Sequence, residues 1–431
     1  MRSRRWDELR GATRAGTTIC LCLLFAAIAQ AQSSFNIGIS VHLANNPAML
    51  QRQLSLISQV GSNSIRDDVF WSHVERQKGQ LAVPTGIDDL VDQALKANVQ
   101  PLLILDYGNG FYDSGDKPAS PKALSAFARY AAFVVLHFKG RVHMYEMWNE
   151  WNDTAGNTHR GTPQEYARFL KALYPAVKAI DPSAVFLAGA IAGLKLDWLS
   201  AMLSAGALGS FDAVSIHPYN FSESARTSDA WAQGMLEAEG VIHRYTGGRD
   251  IPLYITEMGW PTSSGPGGSS PKEAAADLAQ MFLLARTMTF IKGIWWYDFC
   301  DDGWDGSNKE DNFGLVDPNL KPKPAFAALE AVAPIVRDAR VVENLPSDNP
   351  SLRALRFRLN GNNQVLALWN VNQAGMIRVD VMGSAPLQIR RIGPDGYNAA
   401  ALGAGAKEQT IDVSNIPMLV TGANLVLKSA N

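Results

Sequence analysis

The chain has 431 residues, of which 47% are hydrophobic and 19% are charged, and its formal net charge is −2. This length and composition are sufficient for a large apolar core and for two or three domains. No block of like charges occurs, so we expect no nucleic-acid partner.

The first predicted element is a secretory leader. Five arginines among the first 14 residues precede the apolar run Thr17–Ala29, which ends in Ala29-Gln30-Ala31. A basic segment, a short apolar segment and a small-x-small site are typical of a signal peptide. The run is also shorter than the ~20 residues that a membrane-spanning helix needs. We expect cleavage after Ala31 and a secreted or periplasmic protein with no membrane span; an uncleaved N-terminal membrane anchor is the alternative.

From Phe35 to about Ala333, short apolar runs alternate with longer amphipathic segments. Two of these segments begin with Thr162-Pro163-Gln164-Glu165 and Ser270-Pro271-Lys272-Glu273, which are typical helix starts. Eight strand–helix units in about 300 residues predict a (β/α)₈ barrel with parallel strands. An open doubly wound sheet is the rival, but it typically has fewer strands and often a Gly-rich phosphate loop, which we do not find. The predicted strands are Asn36–Val41, Ser64–Arg66, Pro101–Leu105, Val142–Trp148, Ala184–Leu187, Ala213–Ile216, Pro252–Thr256 and Lys292–Tyr297.

Beyond Ala333 the hydrophobic pattern changes to a period of two. Leu355–Leu359 alternates in this way, and no helical period follows it. This pattern predicts a small antiparallel β-sandwich domain. We therefore expect a signal peptide at 1–31, a catalytic barrel at 32–335 and a C-terminal β-domain at 336–431. Because the β-domain has few candidate aromatic residues, bracing of the barrel is favoured over glycan binding as its role.

Polar side chains recur at the carboxyl ends of the predicted strands, where barrel enzymes place their active sites. Glu150 follows the fourth strand and Glu257 closes the seventh. In a closed ring of eight strands these two positions face each other across the mouth. Two carboxyl groups that flank one bond are what glycoside hydrolysis requires, as acid and as nucleophile or base. Trp260 and Trp296 stand near the same strand ends, where their indole faces are suited to the apolar faces of sugar rings.

Several of these motifs resemble those of the clan A glycoside hydrolases. They are Trp148-Asn149-Glu150 after the fourth strand, His217-Pro218-Tyr219 after the sixth and Ile255-Thr256-Glu257 at the seventh. The later run Asn312–Asp317, with Lys321–Phe326, resembles the end of the barrel in families 39 and 5. The trailing β-domain resembles family 39, and the chain also resembles secreted glycosidases of bacterial exopolysaccharide operons. The resemblance covers the barrel, roughly residues 35–333.

The resemblance implies a role for each matching residue. Glu150 is expected to be the general acid/base, protonated in the resting enzyme, and Glu257 the nucleophile of a retaining double displacement. Arg66 would keep Glu257 ionised, and Tyr219 would donate a hydrogen bond to it. Asn149 would bind the sugar 2-hydroxyl, while two histidines would bind other sugar hydroxyls. Those histidines are His42 and His217.

Two residues near Glu150, Trp151 and Glu146, have expected roles other than catalysis. Many members of the family have Pro after the acid/base glutamate, but this chain has Trp151, which we expect to line the site of the leaving group. Glu146 has the same strand parity as Glu150, and we interpret it as a structural carboxylate rather than a catalytic one.

From these observations we expect a β-linked polysaccharide as the substrate, cut internally by a monomeric enzyme. A catalytically dead carbohydrate-binding barrel and a transglycosylase are the alternatives. The acidic run Asp301–Gly306 lacks the ligand spacing of a calcium loop, and the histidines lack the spacing of a zinc protease. We therefore predict no metal and no organic cofactor.

Overall fold

The computed structural model describes residues 35–430 except 44–48, 155, 157, 222–225, 360–361, 373–374, 385, 394–395 and 399–405. The predicted signal peptide lies outside the described residues. Among the helices that are described, none is both long enough and apolar enough to span a bilayer.

The first part of the chain forms a closed barrel of eight parallel strands in sequential order. Asn36 pairs with Gly293, which joins the first strand to the eighth and closes the ring. The strands are β1 Asn36–Ser40, β2 Ser64–Phe70, β3 Gln100–Asp106, β4 Met144–Met147, β5 Val185–Ala192, β6 Ala213–His217, β7 Leu253–Met258 and β8 Ile291–Trp296. The (β/α)₈ barrel predicted from the sequence is therefore confirmed, and all eight predicted strands are present, with different ends.

Helices follow the strands and cover the outside of the barrel. Those described are α1 Leu50–Gln59, α2 Trp71–Val74, α3 Thr85–Lys96, α4 Pro121–His137, α5 Pro163–Ile180, α6 Leu196–Met202, α7 Ser228–Thr246, α8 Pro271–Ala285 and α9 Pro324–Asp338. Thr162 and Ser270 begin α5 and α8 with reciprocal hydrogen bonds to Glu165 and Glu273. These capping boxes satisfy backbone N–H groups that the first helical turn leaves without partners.

The C-terminal part of the chain forms two antiparallel sheets. The larger sheet has the order β14-β13-β16-β11-β10-β9 and the smaller one β15-β12-β17. Their strands are β9 Val341–Asn344, β10 Leu352–Arg358, β11 Asn363–Asn370, β12 Ile377–Met382, β13 Gln388–Gly393, β14 Gly396–Asn398, β15 Glu408–Val413, β16 Met418–Ala423 and β17 Val426–Ala430. Alternate residues of β12 are buried, as the period-two pattern predicted for a strand with one face in a core.

The larger sheet packs against the barrel. Phe357 and Trp369 are fully buried within the same apolar core as the barrel helices. At the edge of this contact Arg353 forms an ion pair with Asp229 of α7 at 2.6 Å, and Gln280 of α8 donates a hydrogen bond to the carbonyl of Asn415. The predicted domain boundary at residue 335 falls within α9, and the described residues belong to one compact unit. The division into domains remains a prediction.

Candidate active site

A cavity of about 690 Å³ opens at the carboxyl ends of the barrel strands. This volume is within the usual range for small-molecule sites, roughly 300–1,000 Å³. Side chains from the ends of all eight strands line it: Ser40, Val41, His42, Arg66, Asp68, Phe70, Ile104, Tyr107, Asn149, Glu150, Asp153, Ala192, Gly193, Tyr219, Phe221, Glu257, Tyr297, Lys309, Glu310 and Phe313. Both catalytic candidates are among them, so the structure brings Glu150 and Glu257 to one cavity.

The backbone turns sharply where β4 ends, and this turn aims Glu150 into the cavity. Trp148 has a φ of 81° and Glu150 a φ of 49°, both in the left-handed region that non-glycine residues rarely adopt. Such positions cost on the order of 1–3 kcal/mol each and persist only when their surroundings hold them. The N–H of Glu150 donates to the carbonyl of Ala190 at the end of β5, which ties the turn to the next strand.

Aromatic packing holds the same turn from behind. Trp148 and Trp151 are fully buried and contact each other edge to face, with ring centroids 5.0 Å apart. Both also pack against Phe169 of α5. The expectation that Trp151 lines the leaving-group site is therefore wrong, because its indole is only 1% exposed and anchors the turn in the core.

The carboxyl groups of Glu150 and Glu257 converge on one imidazole. Nδ1 of His217 lies 2.9 Å from Oε1 of Glu150 and 3.4 Å from Oε2 of Glu257. A side-chain oxygen of Glu150 and one of Glu257 lie within 4.8 Å of each other. Retaining glycosidases keep their two carboxyl groups about 5–5.5 Å apart, whereas inverting enzymes need about 6.5–9.5 Å to admit a water. The spacing here fits direct attack by one carboxylate.

Arg66 organises the nucleophile side of the cavity. Its guanidinium donates to Glu257 at 2.7 Å, to Glu146 at 2.7 Å and to Asn149 at 2.9 Å. Burial alone would lower the pKa of Arg66, but the charges of Glu146 and Glu257 outweigh burial and raise it. Arg66 is thus a permanent cation that fixes three neighbours at once, a geometry that the planar guanidinium fork makes possible.

Glu257 is held as a carboxylate. Burial on its own would raise the pKa of Glu257, but the positive charges of His217 and Arg66, with hydrogen bonds from Arg66 and Tyr219, lower it. The Tyr219 hydroxyl donates to Oε2 at 3.1 Å while Arg66 occupies Oε1. Glu257 is therefore an ionised, oriented group, as a nucleophile at an anomeric carbon must be.

A buried chain of hydrogen bonds determines which nitrogen of His217 faces the two glutamates. Thr256 donates its single hydroxyl proton to Glu146 at 2.7 Å, so His217 Nε2, at 3.1 Å, must donate to the Thr256 oxygen. Nδ1 is left to face Glu150 and Glu257. Burial lowers the pKa of His217, but the charges of Glu257 and Glu150 outweigh it and the pKa is raised. The raised pKa favours a second proton on His217, which would be carried by Nδ1, the atom that faces both carboxyl groups.

Three of the residues that were predicted to contact sugar do lie at the cavity. Asn149, Tyr219 and His42 line the cavity, and the imidazole of His42 is about half exposed, 3.8 Å from Asp68. Their contact with sugar remains a prediction.

Three predicted sugar contacts are corrected by the structure. His217 is fully buried, and both of its ring nitrogens are engaged by protein groups, so it positions the carboxyl groups instead of binding sugar. Trp260 and Trp296 are each 1% exposed and pack against one another behind the cavity wall. Trp296 is the last residue of β8 and Trp260 comes two residues after β7, but neither indole is among the residues that line the cavity.

Several cavity residues were not assigned from the sequence. Phe70 and Tyr107 stack at 6.0 Å on one wall, and Tyr297 lies edge-to-face against Phe313 at 5.4 Å on the other. Each provides an apolar face at the end of a strand or in the segment after it. Tyr107 and Tyr297 follow β3 and β8 directly, so the rule that located Glu150 and Glu257 could also have located them.

Glu150, His217 and Glu257 are also close enough together to hold a metal ion. Arg66, however, places a buried guanidinium 2.7 Å from Glu257, and this positive charge opposes a cation at the same carboxylate. The arrangement favours proton transfer and nucleophilic attack.

Comparisons with known proteins identify the fold. No family model and no curated protein matches the chain. Among solved structures, a family 39 glycoside hydrolase from Bacteroides cellulosilyticus WH2 has a TM-score of 0.74 at 24% identity, covering 91% of this chain and 81% of its own. The family 39 enzyme from Xanthomonas axonopodis pv. citri has a TM-score of 0.64 at 15% identity, covering 92% and 94% of the two chains.

A third structure, a monomeric β-xylosidase from Caulobacter crescentus CB15, has a TM-score of 0.64 at 17% identity, and the alignment covers 92% of this chain and 96% of that one. Two of these three structures are family 39 enzymes and the third is a β-xylosidase, in agreement with the resemblance seen in the motifs around Glu150 and Glu257. At such identities the shared feature is the fold, that is, the barrel together with its trailing β-domain.

Proposed function

We propose that the protein is a retaining glycoside hydrolase that cleaves β-glycosidic bonds in a polysaccharide. The observation that carries this proposal is the approach of Glu150 and Glu257 to within 4.8 Å, one beside His217 and the other ionised by Arg66. The two groups share a cavity and differ in their surroundings, which is how paired carboxyl groups acquire unlike roles.

In the first step, Glu257 attacks the anomeric carbon and forms a glycosyl ester. The bond from that carbon to the leaving oxygen breaks as Glu150 gives its proton to the oxygen. Arg66 and Tyr219 hold the two oxygens of Glu257 before the attack. Because these donors are already in place, they need no rearrangement as the charge on Glu257 moves into the ester.

In the second step, water attacks the anomeric carbon and Glu150 takes its proton. Glu257 leaves as a carboxylate, and the two inversions together give retention of configuration. His217 Nδ1, 2.9 Å from Glu150, stays beside that carboxyl group throughout. From this position Nδ1 can accept the proton of Glu150 in a hydrogen bond before the first step and donate a hydrogen bond to the Glu150 carboxylate between the two steps.

The aromatic walls support a sugar substrate. Phe70 and Tyr107 on one side and Tyr297 and Phe313 on the other present apolar faces, while His42 and Asn149 present polar groups between them. A pyranose ring has the same mixture of apolar faces and polar edges. We propose a β-linked polysaccharide, such as a bacterial exopolysaccharide, as the substrate. We also propose that the enzyme is a monomer and, on the basis of the predicted leader, that it is exported.

The proposal is tested with purified residues 32–431, a panel of β-linked polysaccharides and 4-nitrophenyl β-glycosides. Wild-type protein should release products whose first-formed anomer is β by NMR. Glu150→Ala should lose roughly 10³-fold in turnover of substrates with poor leaving groups. With 4-nitrophenyl β-glycosides, whose leaving group needs no acid, breakdown of the ester should become limiting, and added azide should speed it and yield a β-glycosyl azide. Glu408→Ala, which removes an exposed ion pair with Lys428 in the β-domain, is the matched control and should retain activity.

Two outcomes would replace the proposal. Polysaccharide binding without bond cleavage by any wild-type preparation would leave a carbohydrate-binding barrel. Transfer to added sugar acceptors in preference to water would identify a transglycosylase, which forms the same ester on Glu257. Initial product with the α configuration would contradict the retaining mechanism itself.

A further inference from the structure

The segment between β8 and α9 carries an indole that the cavity does not contain. Trp304 is 68% exposed and is the most exposed of the large apolar side chains in the described part of the chain. Among those described residues its ring has no aromatic partner. Tryptophan is usually well buried, and scattered surface apolar residues need no explanation on their own. The exposure of Trp304 becomes informative when it is considered together with the contacts of its neighbours along the chain.

The backbone on both sides of Trp304 is fixed. The N–H of Asp305 donates to Oδ2 of Asp311 at 3.1 Å, and the same carboxylate packs against Gly303 so closely that a Cβ there would lie 2.0 Å from it. Asn312 closes the segment by donating to the carbonyl of Asp305 at 2.7 Å. An exposed indole on a fixed backbone loses little conformational entropy when a ligand covers it.

The same segment forms part of the cavity. Lys309, Glu310 and Phe313 follow Trp304 within ten residues and line the opening. The N–H of Ser264, in the segment after β7, donates to the carbonyl of Gly306 at 2.8 Å. Trp304 therefore belongs to the rim on the β7–β8 side, which also carries Glu257.

Strand order determines which part of a substrate reaches this rim. In the ring β1 to β8, β8 lies opposite β4. Glu150 follows β4 and must touch the leaving oxygen, so the leaving group occupies the β4 side of the cavity. With the leaving group on the β4 side, the proposed mechanism leaves the β7–β8 side for the sugar that bonds to Glu257 and for any chain attached to its non-reducing end.

We propose that Trp304 is the stacking platform of a distal glycone subsite that binds a β-linked sugar chain beyond the unit attacked by Glu257. This inference rests on the proposed function and extends it, because a subsite at this place requires a substrate that continues on the non-reducing side. An enzyme that depends on this subsite needs at least two sugar units on the non-reducing side of the bond that it cuts, so it does not release single sugars from the non-reducing end.

The test uses residues 32–431 and 4-nitrophenyl β-glycosides that carry one, two, three or four xylose, glucose or mannose units. In the wild type, kcat/KM should increase with glycone length in the series that it cleaves. Trp304→Ala should remove roughly tenfold or more of that increase, a typical loss for a tryptophan at the centre of a binding contact. Trp304→Phe keeps an aromatic face and should retain most of the increase. Met376→Ala, equally exposed but in the β-domain, is the matched control.

Each result decides the matter. Wild-type kcat/KM that is independent of glycone length, or a length dependence in Trp304→Ala within twofold of the wild type, overturns the Trp304 subsite and leaves the glycosidase proposal standing. Absence of wild-type cleavage for every glycoside and polysaccharide overturns both proposals. Loss of the length dependence in Met376→Ala as well would assign the effect to the fold and would also overturn the subsite.

Discussion

Nη1 of Arg66 lies 2.7 Å from Oε1 of Glu257, although the two residues are 191 positions apart in sequence. This contact joins β2 to β7 across the interior of the barrel. It helps to explain how a carboxyl group that is 8% exposed remains ionised, because the positive charges of His217 and Arg66 together outweigh the cost of burial.

Arg66→Lys tests this contact. Lysine keeps the charge but cannot reach Glu257, Glu146 and Asn149 together, so kcat/KM should fall by about 10² or more, as when one oriented donor to a reacting group is lost. The pKa of Glu257, now lowered, should rise towards its ordinary value. The acidic limb of the kcat/KM profile should therefore move to higher pH. Arg353→Lys, at the ion pair with Asp229, is the control and should leave the profile in place.

Glu257 also contributes to stability in a pH-dependent way. A glutamate in an unfolded chain titrates near about pH 4.3, and the folded-state pKa of Glu257 is lowered. Its ionisation therefore stabilises the fold above the unfolded value, and this contribution is lost as pH falls through the folded value. The Tm of the wild type should fall relative to that of Glu257→Gln between about pH 5 and 3. A constant Tm difference over this window would contradict the lowered pKa.

Thr256 should matter for both stability and turnover. Replacing it with Val removes the donor to Glu146 and the acceptor for His217, and leaves both buried groups without this partner. The expected cost is about 1–3 kcal/mol in the free energy of unfolding, together with a lower kcat because His217 loses its orientation. Thr256→Ser retains the hydroxyl and should restore both quantities. Calorimetry and initial rates measure the two effects separately.

The β-domain should brace the barrel. Phe357 is fully buried in the core shared with the barrel helices, so Phe357→Ala should cost roughly 3–5 kcal/mol. The folded fraction should keep the wild-type kcat, because Phe357 is remote from the cavity lining. A lowered kcat at a temperature where the variant is fully folded would show instead that the β-domain shapes the site.

Hydrophobic pattern was enough to predict the architecture. All eight strands and the helix starts at Thr162 and Ser270 depend on local periodicity and capping, which a single sequence displays. The ends of β2 and β5 were less predictable. β2 continues through Asp67 and Asp68 to Phe70, and a polar residue inside a barrel looks in sequence like the end of a strand.

The sequence did not allow us to predict which side chains at the strand ends point into the cavity. Glu150 and Glu257 were identified because carboxyl groups at strand ends are unusual, and both reach the cavity. Trp260 and Trp296 occupy comparable places along the chain but pack inside the wall, while Tyr297, next to Trp296, faces the opening. A shift of one residue along a strand determines whether a side chain faces the cavity or packs inside the wall.

The central claim is that Glu257 forms a covalent bond with the anomeric carbon. A 2-deoxy-2-fluoro glycoside with an activated leaving group, made from the sugar that the wild type cleaves, slows breakdown of this ester and allows its detection. Peptide mass spectrometry should then find one added glycosyl unit on the peptide that contains Glu257, and none in Glu257→Gln. A glycosyl unit on Glu150 or on any other residue, or turnover that never accumulates a labelled protein, would contradict the account.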